Sequence, residues 1–504
     1  MMSKLIPTAL LLLFTSFTAF AQAKSDTDIY PYRVTSIDKN EMQVINTGIA
    51  AFYARIDMIR RATTSLDLEY FIFNPDSSGR IIIKELIQAA NRGVKVRILI
   101  DKSIAVFKLN EYYAQVLKQN NIEIRYYNAA PLFRISSSQF RNHRKLILRD
   151  GAEAITGGRN IADEYFNLSK TFNFLDRDIW VEGEIVNAMN DTFNLYWNSE
   201  IIQIPAAIEK PERIITSVSE DEMKNENDYQ FKLTTYTKKL AEAQELIRET
   251  PEDIKNLAFA NSYGKKSLSE DTKKHSCPEA SFATDREGAS FLQRIHTKNY
   301  SNSYRILRKE ISEWMAKVDD EIVLDSPYFL NDANSIKIIN DLLSKDKKIT
   351  ILTNSLASTD AIYVSTVYSD TVIQYTPNKN FNAYTYKGKF SNESEVISDE
   401  VRNSNWGTHS KTIVFNNNSF MIGTFNIDNR SNFYNTEMAV FCSGSPELAN
   451  DVLSNIKIRM KSSNHLDKNA RPDDGTDLLA GASTKKKILY YMLKIPAALF
   501  QFLL

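Results

Sequence analysis

At 504 residues the chain is long enough for two domains or more. Its 43% apolar and 25% charged content is that of an ordinary globular protein and excludes a low-complexity or disordered chain. Lys plus Arg equals Asp plus Glu, 62 of each, so no overall field draws the molecule to nucleic acid, and no nucleic-acid partner is expected.

Residues 1–21 carry one charge, Lys4; Leu5 to Phe20 is apolar or small, and Ala19-Phe20-Ala21 fits a signal-peptidase site. They are read as a cleaved secretory signal, with an uncleaved anchor as the lesser option. From residue 40 the chain alternates strand and helix. Ala50 to Arg61 has helical spacing, Ser65 to Phe73 reads as a strand, and Asn74 to Gly79 as a turn. Arg80 to Arg92 is an amphipathic helix closed by Gly93, and Val94 to Ile100 is a buried strand ending at Asp101. A helix over 105–119 and the strand Ile122 to Tyr127 follow, then strands at Lys145 to Leu148, Ala154 to Thr156 and Asp178 to Gly183, and a helix Ile185 to Trp197. This order predicts an α/β domain, a mixed and largely parallel sheet flanked by helices, over 40–203.

Residues 204–299 are polar and rich in Lys and Glu, a connector with helix near Tyr236 to Glu249 and a loop over Gly264 to Pro278. Residues 300–460 repeat the first pattern: a helix over 304–317, Glu321 to Leu330 matching the strand at Leu66, Lys348 to Asn354 matching Lys95 to Asp101, and Glu437 to Cys442 matching Asp178 to Val181. Two similar, pseudo-twofold domains with a site between them are expected. Residues 461–484 read as a linker. Residues 485–504 open with three lysines and run apolar to the end, broken by Pro496; they are too short to span a bilayer and read as a membrane-interfacial tail. Cys277 and Cys442 read as unlinked thiols, with one disulfide as the alternative for an exported chain.

One stretch organises both halves. Residues 141–165, RNHRKLILRDGAEAITGGRNIADEY, return as 407–430, GTHSKTIVFNNNSFMIGTFNIDNR. His143, Lys145, Asp150, Gly157, Gly158 and Asn160 stand at the offsets of His409, Lys411, Asn416, Gly423, Thr424 and Asn426. In H-x-K on a strand the imidazole and ammonium share a face, and a turn carrying Asn brings an amide to the same edge. Two such sets suit a phosphodiester: one neutral imidazole attacks phosphorus, the other protonates the leaving oxygen, and lysines and asparagines hold the non-bridging oxygens. The candidate catalytic residues are therefore His143, Lys145, Asp150, His409, Lys411 and Asn416, with Asn160 and Asn426 on the phosphate. Asp178 and Glu437, at the starts of corresponding strands, are the candidates to orient the imidazoles. Ser410 and Arg144 should face away. Glu69, Asp325, Tyr165, Phe166, Tyr328 and Phe329 are read first as core or edge residues, with a cleft or acyl groove as the alternative. No metal and no cofactor is expected.

The paired H-x-K-x4-D/N-x6-G-G/T-x-N motifs resemble those of the phospholipase D superfamily. GGRNIADEYF (157–166), LDRDIWVEG (175–183), ITILTNSLASTD (349–360) and GTFNIDNRSNFYNTEMAV (423–440) are similar to the bacterial cardiolipin synthase branch, particularly its C type. The resemblance implies a phosphatidyl-histidine intermediate, with His143 as nucleophile and His409 as acid and base. It also implies transfer of a phosphatidyl group from phosphatidylglycerol to a second lipid, with or without phosphatidylethanolamine. A secreted phospholipase D that hydrolyses headgroups, and a nuclease or other phosphodiesterase, are the alternatives. Asn416 stands where the family has Asp, a residue thought to brace the motif, so activity is expected to survive. The expected location is the periplasmic face of the inner membrane or outside the cell.

Overall fold

The computed structural model describes residues 29–37, 39–128, 139–213, 219–288 and 303–499. The expected signal at 1–21 lies outside them, as do 289–299 of the connector and 500–504 of the tail.

Two nine-stranded sheets form the body. The first runs, in spatial order, Ile202–Gln203, Ile122–Tyr127, Lys95–Asp101, Ser65–Tyr70, Leu146–Arg149, Glu153–Gly157, Asp178–Glu182, Asn40–Ile45, His275–Cys277. The second repeats it strand for strand: Ser463–His465, Phe381–Tyr386, Lys348–Asn354, Glu321–Asp325, Thr412–Phe415, Ser419–Gly423, Met438–Ser443, Glu279–Thr284, Arg33–Ser36. The chain is thus a mixed α/β protein of two similar halves. Within these two sheets parallel pairing is confined to the three strands Ser65–Tyr70, Lys95–Asp101 and Ile122–Tyr127 and their counterparts. Only these are joined by helical crossovers; the motif strands are linked by tight turns, which can connect only antiparallel neighbours.

The outermost strands are exchanged. Arg33–Ser36, from the chain's beginning, edges the second sheet, while His275–Cys277 of the connector edges the first. The connector is therefore built into the fold and differs from the expected loop over 264–278. Thr250 caps the helix Pro251–Phe259 with a reciprocal bond to Asp253, and the segment to Glu270 continues helical against Gly48–Arg61 and Ser77–Asn91. Asp253 also pairs with Arg80 at 2.7 Å. Because the chain steps from one sheet to the other at residues 277–279, Cys277 meets Cys442 in a disulfide, Cα to Cα 5.9 Å, and both are fully buried. This corrects the expectation of unlinked thiols: 165 residues of sequence separation say nothing about two strands that the fold brings together from different sheets.

One core is common to both halves. Met42, Leu148 and Val181 from the first sheet and Val414, Phe420 and Val440 from the second pack with the helices Ile185–Trp197 and Pro446–Lys461 between the sheets. Each such buried aliphatic contributes roughly 1.5–3 kcal/mol, so separating the halves would expose a whole core layer. Residues 461–484, expected to be a linker, instead supply the edge strand Ser463–His465.

The disulfide stitches the two sheets through this common core. The Cys277→Ser/Cys442→Ser pair is expected to melt roughly 2–5 °C below wild type in calorimetry. An unchanged melting temperature would contradict a stabilising role.

Candidate active site

Asp150 and Asn416 explain how the motif strands turn. Both have a left-handed backbone, φ 53° and 50°, which Asp and Asn tolerate better than most residues. Asp150 N–H donates to Ser65 O, and Asn416 N–H to Glu321 O, both at 2.9 Å. The Asp150 carboxylate accepts the backbone N–H groups of Thr63, Thr64 and Ser65. The Oδ1 of Asn416 accepts those of Asp319 and Asp320 at 3.0 and 3.1 Å. Both residues thus sit at the strand ends remote from the histidines. They are turn brackets, which corrects their assignment to catalysis. An amide oxygen suffices for that task, so Asn in place of Asp leaves the second half intact.

At the opposite strand ends the four motif groups converge. His143, Lys145, His409 and Lys411 are all buried. As the two-residue period requires, each lysine folds back over its histidine, Nζ donating to the carbonyl of His143 at 2.6 Å and of His409 at 2.5 Å. The orienting carboxylates come from the other half in each case. His143 Nδ1 lies 2.9 Å from Glu437 Oε2, and His409 Nδ1 lies 2.7 Å from Asp176 Oδ2. Donation from Nδ1 by a neutral imidazole leaves Nε2 as the acceptor that chemistry needs; at His409 that nitrogen lies 3.0 Å from Lys411 Nζ.

Backbone pairing fixes the crossing. His143 N–H donates to Thr436 O at 3.0 Å, and His409 N–H to Leu175 O at 2.7 Å. Each acceptor is the residue just before an orienting carboxylate. The short strands Phe172–Leu175 and Asn405–Thr408 extend the second of these contacts into a parallel pair.

Asp178 does not take the role expected of it. It pairs with Arg55 at 2.8 Å and Arg159 at 3.4 Å inside the first half. The reason is register: Gly157 lies opposite Asp178, and Gly423 opposite Ala439, so the counterpart of Glu437 is Asp176, two residues earlier. The turn glycine makes room for it. A Cβ on Gly158 would fall 2.1 Å from Asp176 Oδ1. In the second half Thr424 takes that place, and its hydroxyl donates to the longer Glu437.

Electrostatics follow burial. Desolvation, then Lys145 and Lys411, push the His143 imidazolium down to about 4 against the pull of Glu437. Burial, then Lys411, lower His409 to about 3, with Asp176 opposing. Burial also lowers Lys145 to about 7 and Lys411 to about 8. Burial works against ionising Asp176, yet Lys411 and His409 hold it at about 2. Burial therefore favours neutral imidazoles and easily neutralised ammoniums at this site, and an anion bound among them would stabilise their charged forms.

The remaining candidates fall around this centre. Asn160 accepts from Ile72 N–H at 3.1 Å through Oδ1, while the buried Oδ1 of Asn426 has no hydrogen-bond partner among the described residues. Tyr165 is buried and meets His409 edge-on at 5.3 Å; Phe166 and Phe329 are core. Ser410 and Arg144 face away, on Arg177 and on Glu69. Asp325 pairs with Arg177 and Arg459. Beyond the motifs, Phe71 stands edge-on to His143 at 5.2 Å and Phe174 lies 4.8 Å from His409. Asp360, bonded to the Tyr328 hydroxyl at 3.1 Å, lies on the Lys411 side, close enough to be felt electrostatically. Nothing in the motif spacing points to these three.

The family described as "Cardiolipin synthase, PLD-like domain" matches residues 55–197 and 311–458. An uncharacterised protein of Helicobacter pylori J99 is 30% identical over 84% of this chain and 80% of its own length. Cardiolipin synthase C of Escherichia coli K12 is 28% identical over 78% of this chain and 79% of its own. The solved structure of phosphatidylserine synthase from Haemophilus influenzae superimposes with a TM-score of 0.60 at 13% identity, over 92% of this chain and 95% of that one. Fold and site thus define a two-histidine protein of phospholipase D type. The chain belongs to the phospholipase D superfamily, in its cardiolipin synthase-like family of phospholipid enzymes.

Two outcomes follow from the geometry. Asp176→Asn should lower kcat by on the order of 10²–10⁴-fold, as loss of an imidazole-orienting carboxylate does, while Asn416→Asp stays within about twofold of wild type. Equal losses in both would return the turn residue to the chemistry. Secondly, an inorganic phosphate probe binding at pH 8 should take up protons, because it restores charge to Lys145 and Lys411, and Lys145→Met should take up fewer. Calorimetry in buffers of differing ionisation enthalpy measures this; proton release would contradict it.

Proposed function

We propose that the chain transfers a phosphatidyl group between glycerophospholipids, making cardiolipin from phosphatidylglycerol, with or without phosphatidylethanolamine as the second lipid. The observation that carries this reading is the pair of buried imidazoles, each with a lysine at its back and a carboxylate from the opposite half on Nδ1. The 28% identity to a protein named Cardiolipin synthase C supports the choice of lipids.

In this reading Nε2 of His143 attacks phosphorus, and the bond from phosphorus to the leaving headgroup oxygen, of glycerol from phosphatidylglycerol or of ethanolamine from phosphatidylethanolamine, breaks as His409 supplies its proton. The phosphate anion offsets Lys411 and lets His409 hold that proton. Lys145, Lys411, Asn160 and Asn426 take the charge on the non-bridging oxygens. The glycerol hydroxyl of a phosphatidylglycerol molecule then gives its proton to His409 as its oxygen displaces the histidine nitrogen. Glu437 and Asp176 keep both rings in the tautomer that these steps need. We place the enzyme outside the cytoplasm, on the periplasmic face of the inner membrane or secreted; the buried Cys277–Cys442 disulfide supports this, since such bonds persist in oxidising compartments. No helix among the described residues is long and apolar enough to cross a membrane.

The test is a lipid assay with mixed vesicles of phosphatidylglycerol and phosphatidylethanolamine, products read by mass spectrometry. Cardiolipin is expected from wild type and from neither His143→Ala nor His409→Ala. Phosphatidic acid alone would replace the transferase by a hydrolase. Cleavage of nucleic acid without any lipid product would overturn the lipid reading.

A further inference from the structure

The helix Thr484–Leu499 has two apolar faces. One is seated on the body. Tyr490 and Ala497, seven residues apart, are buried, and Tyr490 donates its hydroxyl to Ser369 at 3.1 Å. The opposite face is open. Ile488, Tyr491, Met492, Ile495 and Leu499 recur at three- and four-residue steps and are 56–73% exposed. Tyr363 and Ile373, exposed on the supporting helix Ile362–Tyr375, lie on the element against which this helix packs. Residues 484–504 contain four lysines and no Asp or Glu, and one of the four, Lys494, pairs with Asp370 of the supporting helix at 3.6 Å.

The seat of this helix is next to the reactive centre. Lys486 donates to the carbonyls of Ala357 and Thr359, both at 2.8 Å. The loop they belong to ends at Asp360, which lies within electrostatic reach of Lys486 and Lys411 alike. Its other end, Asn354, holds Thr408 by two hydrogen bonds, at 2.7 and 2.9 Å, immediately before His409. The exposed row is thus tied to the wall of the site by a short, bonded path.

We propose that the exposed face of Thr484–Leu499 docks on an anionic phospholipid bilayer and so sets the mouth of the site beside Asp360 against the lipid surface. This rests on the lipid reading above and names where the enzyme meets its substrate. Charge decides the occupant: an acid-free cationic segment with aromatic and aliphatic side chains in one row fits anionic headgroups over acyl chains.

The test uses the full chain and the variant Ile488→Ser/Tyr491→Ser/Met492→Ser/Ile495→Ser/Leu499→Ser, which keeps the seated side chains and should melt as wild type does. In flotation with phosphatidylglycerol–phosphatidylcholine vesicles the variant should partition on the order of tenfold less or weaker still. Wild type should bind pure phosphatidylcholine vesicles poorly and lose binding as salt rises. Dispersed short-chain phosphatidylglycerol should still be turned over by the variant. Equal partition of both proteins would overturn the proposal. So would lipid-free self-association of wild type that the five substitutions abolish, since that assigns the face to a second copy. If wild type floats and the variant does not, yet neither turns over lipid, the docking face stands and the transferase reading falls.

Discussion

Each reactive imidazole is held by a carboxylate that the other half of the chain supplies, Glu437 on His143 and Asp176 on His409. Neither half holds a complete set. The backbone bonds from His143 to Thr436 and from His409 to Leu175 place the two carboxylates, and the common core between the sheets holds those bonds in register. The fold therefore makes chemistry conditional on the mating of its halves. A displacement of either half would cost both tautomers together.

The same burial that builds the site also sets its charge. His143, His409, Lys145 and Lys411 are each pushed toward the neutral form by desolvation. In the proposed reaction a phosphodiester is the counter-ion: its binding favours charge on the lysines and on one imidazole, so that proton transfer is prepared by binding itself. Aromatic rings at Phe71, Tyr165 and Phe174 keep the imidazoles out of water without adding charge.

Much of this was legible before any coordinates. The repeated offset from His to Asn predicted two related domains, and the two-residue period predicted that His and Lys share a face. What failed were inferences that need register. The loop between the Gly158 turn and Asp176 is longer than the one between Thr424 and Glu437, so the two strands can be matched only by their openings, and that pairs Asp178 with Glu437. The usable signal was the apolar alternation: aligning Ile179 and Val181 with Val440 and Cys442 brings Asp176 onto Glu437. Asp150 and Asn416 misled for another reason. Their fixed offset reflects a left-handed turn position that favours Asp and Asn, and a structural demand repeats as faithfully as a chemical one. The disulfide and the strand exchange depend on which sheet each connector strand joins, and local pattern does not encode that.

The crossing itself can be observed directly. With only five histidines in the chain, nitrogen-15 labelling of imidazoles gives a tractable spectrum from which tautomers are read. The expected result at neutral pH is that both His143 and His409 are neutral and protonated on Nδ1, that Glu437→Gln perturbs His143 alone, and that Asp176→Asn perturbs His409 alone. A response of His409 to Asp178→Asn, or of either imidazole to the carboxylate assigned to the other, would contradict the interlocked site.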